Sequence, residues 1–392
     1  MQRVITTDMT IRRYSRDPRT RCRQIEAEPL PASLGALLAE AAREVLERLA
    51  WQFIDSGERA TYAEVDCMVS RFASSLARLG VKKGTHVGVM IPNVPQFPVT
   101  WLAIARLGAV MVPINISYTA RELDYIVNDG KVELLVIDAE CLPVLDAMKE
   151  RPAALGRDRV VVWRGARAGE HDWQSLHDAG DAAFMPAEAV ALDDLLNIQY
   201  TSGTTGFPKG CLLLQRYWLT QGKINATRDG LRFERLLIST PFYYMDPQWL
   251  LLMAIYQRAT LYVAFRQSAS RFMHWVREHE IEFCLLPVLT LKQPPNADDT
   301  RNHIVRANVY GIPRHLHPQI EERCAHVGRP FQPAGYPVQT YAYDPANPPA
   351  APPERAAAAA DPAGGGAGWH GDRGRDPVGG VGRLPQEQRA AA

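Results

Sequence analysis

The feature that most constrains the fold is a repeated alternation of short apolar segments with amphipathic ones. Residues 87–91 and 134–137 form apolar runs typical of buried strands, and residues 95–107 have the pattern of a helix ended by Gly108. Strands that alternate with helices form βαβ units, whose strands lie parallel in one sheet. The sequence therefore predicts an α/β fold with mainly parallel sheets.

This alternation occurs in two parts of the chain. The elements predicted in the first part are helix 33–49, hairpin 51–62, helix 63–79, strand 87–91, helix 95–107, strand 109–114, helix 119–128 and strand 134–137. Those predicted in the second part are strands 236–240, 260–264 and 281–287 and helices 247–256 and 268–279. The predicted organisation is a flexible leader (1–30), a first α/β subdomain (31–165), a linker (166–192), a second α/β subdomain (193–323) and a tail (324–392).

Residues 201–210 form a loop rich in glycine and hydroxyl groups between two apolar segments. Glycines let a backbone approach an anion closely, hydroxyl groups donate hydrogen bonds, and Lys209 adds a positive charge. The spacing of a Walker A loop is absent, and Pro208 precedes the lysine. The composition and order of the loop predict polyphosphate binding rather than an ordinary turn.

The loop resembles the signature loop of the AMP-forming acyl-CoA synthetases, within the adenylate-forming superfamily. Matching segments occur at residues 61–64, 84–89, 91–93 and 107–115, although Thr85 stands where the family usually has Asp. The resemblance covers about residues 30–323. It implies the N-terminal core of the adenylate-forming fold, built from two subdomains of the βαβ type.

The resemblance implies a ligase that activates a small carboxylic acid with ATP, through an acyl-adenylate, and then forms a thioester with CoA. Mg²⁺ is expected to bridge phosphate oxygens. The family's loop binds the β- and γ-phosphates, a role that falls here on Thr201, Ser202, Gly203, Thr204, Thr205, Gly206 and Lys209. The family segment along the adenine corresponds to Gly311, Ile312 and Pro313, for which an ordinary turn is the alternative.

An aromatic segment at residues 241–249 corresponds to the family's acyl pocket. The pocket residues implied are Tyr243, Tyr244, Asp246 and Trp249, with Tyr244 where many members have a histidine. Such a set could enclose a quaternary ammonium group, and the segment is similar to that of carnitine-CoA ligase-like members. The alternative is structural, with Asp246 as a helix N-cap, Pro247 at the first helical position, and the aromatic rings packed.

Three family elements have no counterpart after residue 323: the adenine-stacking segment with its Mg²⁺-binding Glu, the ribose-binding Asp, and the small C-terminal domain with its lysine. Catalytic and metal-binding residues are therefore not identified. The tail is dominated by Ala, Gly and Pro, a composition that predicts disorder. A natural linker is one explanation, and translation of a GC-rich gene in a shifted frame is the favoured one.

Composition excludes several other classes of protein. A net charge of +1 gives no electrostatic reason to bind nucleic acid, and no apolar run is long enough to span a bilayer. The six cysteines show no paired spacing, which favours a reducing cytoplasm over a disulfide framework. The sequence leaves the acyl substrate and the oligomeric state open.

The sequence is compatible with three functions. The favoured one is an acyl-CoA synthetase whose activity is impaired by loss of its C-terminal part. The alternatives are a non-catalytic homologue that binds ATP or an acyl group, and, less favoured, an adenylation domain of the peptide-synthetase type.

Overall fold

The computed structural model describes residues 15, 17–201, 208–309 and 314–324, in which two mainly parallel β-sheets are packed with helices. The described strands are β1 (Leu49–Phe53), β2 (Arg59–Thr61), β3 (His86–Met90), β4 (Val110–Pro113), β5 (Leu134–Asp138), β6 (Val160–Trp163), β7 (His171–Asp172), β8 (Leu195–Thr201), β9 (Lys209–Leu214), β10 (Arg235–Ile238), β11 (Thr260–Val263), β12 (Phe283–Leu286) and β13 (Arg306–Val309). The predicted α/β class with mainly parallel sheets is confirmed.

The α-helices of the same residues connect these strands and cover the sheets. They are α1 (Pro18–Ala27), α2 (Leu34–Glu44), α3 (Tyr62–Arg78), α4 (Gln96–Leu107), α5 (Ala120–Asp129), α6 (Leu142–Asp146), α7 (Trp173–Asp178), α8 (Gln215–Thr227), α9 (Met245–Gln257), α10 (Ala269–Glu278) and α11 (His317–Cys324). None of the helices in these described ranges is both long and apolar enough to cross a membrane.

The two sheets exchange strands between distant parts of the chain. The seven-stranded sheet has the order β7-β6-β5-β3-β4-β8-β9, and β9 is antiparallel to β8 at its edge. The six-stranded sheet has the order β13-β12-β10-β11-β1-β2, and the early strand β1 lies parallel to β11. Each sheet is thus completed by strands from the other half of the chain. The subdomain boundaries and the linker at 166–192 stay a prediction.

The alternation of side chains along each strand builds a layered core. Val87 and Val89 of β3 belong to a central core shared with both sheets and with helices α2, α3, α4, α8 and α9, whereas Met90 faces a second cluster with α5. In the other sheet Leu236 faces the central core and Leu237 faces a third cluster with α10. Because side chains alternate with period two, each sheet buries both of its faces.

Local sequence signals fix most helix ends. Thr61 and Glu64 form a capping box at the start of α3, and Gly108 ends α4 with a φ of 67°. Helix α2 ends at Glu44, five residues before the predicted end, because Leu49 pairs with Thr61 as the first residue of β1. The apolar spacing extends the predicted helix into β1, because the half-buried Leu49 fits a helical stripe as well as a strand.

Candidate nucleotide and acyl site

Strands β8 and β9 hold the two ends of the predicted phosphate loop. Thr201 is paired with Lys209 across the antiparallel strands, and both residues are exposed. Strand β8 lies parallel to β4, so its carboxyl end belongs to the edge of the sheet where α/β proteins bind ligands. The pairing therefore places Lys209 at the start of β9, directly opposite the residue at which β8 ends.

The remaining residues assigned to the nucleotide were predicted from the sequence alone. Those outside the described residues are Ser202, Gly203, Thr204, Thr205, Gly206, Gly311, Ile312 and Pro313. Their contacts with ATP stay predictions.

Two tyrosines fasten the strand pair to helix α5. The Tyr200 hydroxyl donates a hydrogen bond of 2.6 Å to Asp129 Oδ2, and the Tyr125 hydroxyl donates one of 2.8 Å to the carbonyl of Pro208. The two rings meet edge to face with centroids 6.2 Å apart. Burial, followed by the bond to the Asp129 carboxylate, raises the pKa of Tyr200. Both ends of the loop thus start from fixed positions.

A side chain at Gly210 would meet residues of the neighbouring strand β8. A Cβ atom at this position would lie 2.8 Å from Ile198 Cγ2 and 3.2 Å from Tyr200 Cζ. The absence of a side chain at Gly210 leaves room for the Ile198 and Tyr200 side chains beside β9. Gly210 therefore sets the spacing of the strand pair.

The segment after β10 is held by a buried asparagine. Asn93 is 3% exposed, its Nδ2 donates to the carbonyls of Thr240 (2.9 Å) and Ala264 (3.1 Å), and its Oδ1 accepts from the Phe242 amide (2.8 Å). Asn93 follows β3 of the seven-stranded sheet, whereas its partners follow β10 and β11 of the other sheet. One amide thus joins the carboxyl edges of both sheets.

Two further amides reach this segment from β8. Gln199 Nε2 donates to the carbonyl of Tyr243 at 2.8 Å. Asn197 Nδ2 donates to Gln248 Oε1 at 2.9 Å, and Gln248 Nε2 donates to the carbonyl of Phe242 at 2.9 Å. The strand that leads into the phosphate loop is therefore bonded to the aromatic segment.

Tyr243 and Tyr244 lie together near the surface. Their ring centroids are 4.8 Å apart with the planes tilted by 59°, and Tyr244 is 49% exposed. Burial, followed by the neighbouring phenols of Tyr244 and Tyr118, raises the pKa of Tyr243 to about 12. Three phenols therefore cluster here, and they present ring faces and hydroxyl groups to a ligand.

Asp246 and Trp249 contact each other within helix α9. Trp249 Nε1 donates to Asp246 Oδ1 at 3.2 Å, and the Trp249 side chain is 6% exposed within the central core. The structural alternative is wrong about the helix start, because α9 begins at Met245, so that Tyr244 occupies the N-cap position and Pro247 is the third helical residue. Asp246 instead lies in the first turn, where the helix dipole favours a carboxylate.

The structure thus brings the four predicted pocket residues together as two pairs. The amides that position them, Asn93, Asn197, Gln199 and Gln248, were not predicted from the sequence, and neither was Tyr125 at the base of the loop. A signal was present in β8, where Asn197 and Gln199 alternate with apolar residues in a buried strand. Two amides on one face of such a strand indicate buried hydrogen bonds.

The expected Mg²⁺ ion has no cage of protein ligands among the described residues. Within them no group of three or more His, Cys, Asp or Glu side chains is arranged to hold a metal ion. Mg²⁺ in nucleotide sites keeps several waters and takes most of its other ligands from phosphate oxygens. Thr201 and Lys209, at the two ends of the predicted loop, are exposed, which is compatible with a Mg²⁺ ion that binds together with the nucleotide.

Comparison with known proteins identifies the family. The family model described as AMP-binding enzyme matches residues 38–293. A crotonobetaine/carnitine–CoA ligase of Escherichia coli is 29% identical over 256 residues, which cover 63% of this chain and 49% of the relative. The long-chain-fatty-acid–CoA ligase FadD13 of Mycobacterium tuberculosis is 34% identical over 188 residues, 48% of this chain and 36% of the relative. The chain thus spans about half the length of the carnitine–CoA ligase that it matches, and less of FadD13.

Solved structures share the fold. The inhibitor-bound N-terminal domain of FACL13 from M. tuberculosis aligns with a TM-score of 0.66 at 23% identity, over 73% of this chain and 72% of that one. A long-chain-fatty-acid–CoA ligase from Archaeoglobus fulgidus aligns with a TM-score of 0.68 at 23% identity, over 77% and 62% of the two chains. The two interlocked sheets are therefore those of the N-terminal part of adenylate-forming enzymes.

Proposed function

This chain belongs to the AMP-binding enzyme family, and on that premise we propose that it activates a carboxylic acid with ATP for transfer to CoA. The reaction forms an acyl-adenylate with release of pyrophosphate, and the acyl group then passes to the CoA thiol. The observation that carries the proposal is the β8–β9 pair, in which Lys209 lies opposite Thr201 and the flanking Tyr200 and Pro208 are bonded to helix α5.

The proposed nucleotide site works by fixed positions and charge. Lys209 lies opposite Thr201 and contributes one positive charge beside the phosphates. The tyrosine contacts hold Tyr200 and Pro208, which flank the loop, so these flanking residues need not be ordered when the nucleotide binds. Mg²⁺, when bound, would neutralise phosphate charge, and the predicted donors of residues 201–206 would orient the nucleotide.

The proposed acyl site is the surface around Tyr243 and Tyr244. These rings are held next to the loop strand by the bond from Gln199 to Tyr243. Trp249 is buried and bonded to Asp246, so it supports the helix start rather than forming an exposed wall. The named relatives act on carnitine derivatives and on long-chain fatty acids, and either acyl class would contact the same two rings.

Acid-dependent exchange of labelled pyrophosphate into ATP tests the proposal. The chain is incubated with Mg²⁺, ATP and labelled pyrophosphate, with crotonobetaine, octanoate or palmitate added separately. Label incorporation that requires one of the acids is the expected result. Amino-acid-dependent exchange without response to these acids would instead support a peptide-synthetase-type adenylation domain.

A second candidate function rests on the same β8–β9 pair, which could hold a nucleotide whether or not an acid is activated. In this alternative the protein binds ATP or an acyl group without catalysing adenylation. Saturable binding of ATP without acid-dependent exchange would identify it.

A further inference from the structure

The strand that leads into the phosphate loop is bonded to the acyl segment of the other sheet. Gln199 and Asn197 lie on the same face of β8, and Ile198 between them faces the cluster on the opposite side of the sheet. Gln199 bonds directly to the Tyr243 carbonyl, and Asn197 reaches the Phe242 carbonyl through Gln248. Two parallel amide paths therefore join one strand to two consecutive carbonyl groups.

A hydrogen bond from Trp101 fixes the orientation of the Asn197 amide in this network. Trp101 Nε1 donates to Asn197 Oδ1 at 3.1 Å, which directs the Asn197 Nδ2 group toward Gln248. Asn197 and Gln248 are each 0% exposed and Gln199 is 5% exposed, so water does not compete for these bonds. A shift of β8 must then move the carbonyls of residues 242 and 243 or break buried hydrogen bonds.

A glutamine at position 199 costs folding free energy, because it buries an amide oxygen that has no hydrogen-bond donor among the described residues. Its Oε1 is buried and accepts no hydrogen bond from the described residues, and its Nε2 makes the contact to Tyr243. An apolar side chain would avoid the unpaired acceptor, as Ile198 beside it does. What the Gln199 amide provides, and an apolar side chain would not, is the hydrogen bond to the Tyr243 carbonyl.

We propose that Gln199 is a positioning residue that couples the phosphate loop to the acyl segment, with Asn197 and Gln248 as a second path. Binding of the nucleotide at the loop then restrains residues 240–244 and sets the Tyr243 and Tyr244 rings for the acid. This inference rests on the proposed function, since it requires a nucleotide at the loop. It predicts ordered use of the site, in which ATP prepares the surface that the acid contacts.

Hydrogen–deuterium exchange of the full chain, with and without MgATP, tests the coupling. In the native protein, peptides covering residues 195–214 and 239–249 are both expected to exchange more slowly when MgATP is present. In Gln199→Met the protection of 195–214 should persist, and the MgATP-induced protection of 239–249 should fall at least twofold. Gln174→Met changes an exposed glutamine on α7 and should behave as the native protein.

The outcomes separate the coupling from the nucleotide site. Undiminished protection of 239–249 in Gln199→Met, or protection confined to 195–214 in the native protein, would overturn the coupling alone. Lack of protection of 195–214 in the native protein would overturn the nucleotide site and the coupling with it. Gln199→Glu keeps the size of the side chain and replaces its donor by an acceptor. It should lose the coupling as Gln199→Met does, and it provides the same test if the methionine variant folds poorly.

Discussion

Tyr200 and Asp129 are joined by a hydrogen bond of 2.6 Å that fastens the end of β8 to helix α5. The contact matters because Thr201, the first residue of the phosphate loop, follows Tyr200 directly. A loop that binds a polyphosphate through backbone and hydroxyl groups depends on ends that do not move. The position of this pair links the stability of the strand pair to nucleotide affinity.

Tyr200→Phe should therefore weaken both properties. Loss of a hydrogen bond to a carboxylate is expected to lower the free energy of unfolding by about 1–2 kcal/mol. We expect a lower melting temperature and a several-fold higher Kd for MgATP, measured by thermal unfolding and calorimetry. Tyr262→Phe is the matched control, because the Tyr262 ring stacks on His279 in the other sheet, away from the loop. Equal effects of the two variants on MgATP affinity would contradict the proposed role of Tyr200.

Alkaline pH should destabilise the protein through its buried phenols. Burial raises the pKa of Tyr62, whose hydroxyl donates to the carbonyls of Ala254 and Ala259, and it also raises the pKa of Tyr200 and Tyr243. A phenol with a raised pKa holds its proton more tightly in the folded state than in the unfolded chain, where the pKa is about 10.

The resulting stabilisation is fully present below about pH 10 and is lost as the pH rises above that value. We expect urea unfolding between pH 8 and 11 to show that these phenols contribute a constant free energy of unfolding up to about pH 10. Above that pH their contribution should fall. Tyr200→Phe should make the fall above pH 10 less steep. A slope unchanged in that variant would show that Tyr200 does not contribute.

Gly210→Ala should lower the stability of the protein, whereas Gly35→Ala should not. The new Cβ would lie 2.8 Å from Ile198 Cγ2, and we expect a loss of about 1–3 kcal/mol together with weaker MgATP binding. Gly35→Ala is the control, because a Cβ at this position of helix α2 would lie 3.6 Å or more from its nearest neighbour, Arg106 of α4. That change should be neutral or stabilising by up to about 1 kcal/mol. A Gly210→Ala protein as stable as Gly35→Ala would show that β9 can move away freely.

Much of the fold could be predicted because its signals are local. The capping box of Thr61 and Glu64, the glycine that ends α4 and the apolar strand runs all act within a few residues of sequence. The end of α2 was missed because Leu49 fits a helical stripe as well as a strand, and its pairing with Thr61 decides between them. Pairing of β1 with β11 joins residues more than 200 positions apart, which no local pattern encodes.

The candidate site was predicted unevenly for a related reason. The loop and the aromatic segment were found because their residues are contiguous in the sequence and resemble a known family. Asn93, Gln199 and Gln248 act on main-chain groups from distant elements, so their roles depend on the packing of two sheets. The indole contact of Trp249 with Asp246 likewise depends on where α9 begins.

Tyr244→Ala should reveal which acyl class the site prefers. Contact of a quaternary ammonium group with an aromatic face is worth about 0.5–2 kcal/mol, which corresponds to a roughly 2- to 30-fold change in Kd. If the substrate is of the carnitine type, the variant should lose affinity for crotonobetaine while its affinity for octanoate changes less. The two ligands are titrated in the presence of MgATP, and a selective loss of octanoate binding would exclude the cation–π role.

The most direct test of the central claim is a calorimetric titration of MgATP into three forms of the full chain. We predict saturable binding to the native protein, a Kd raised roughly 10- to 100-fold in Lys209→Ala, and an unchanged Kd in Lys149→Ala, which removes an exposed lysine elsewhere. This result would assign the phosphate site to the β8–β9 loop. Equal affinity of Lys209→Ala and the native protein, or no MgATP binding at all, would contradict the assignment.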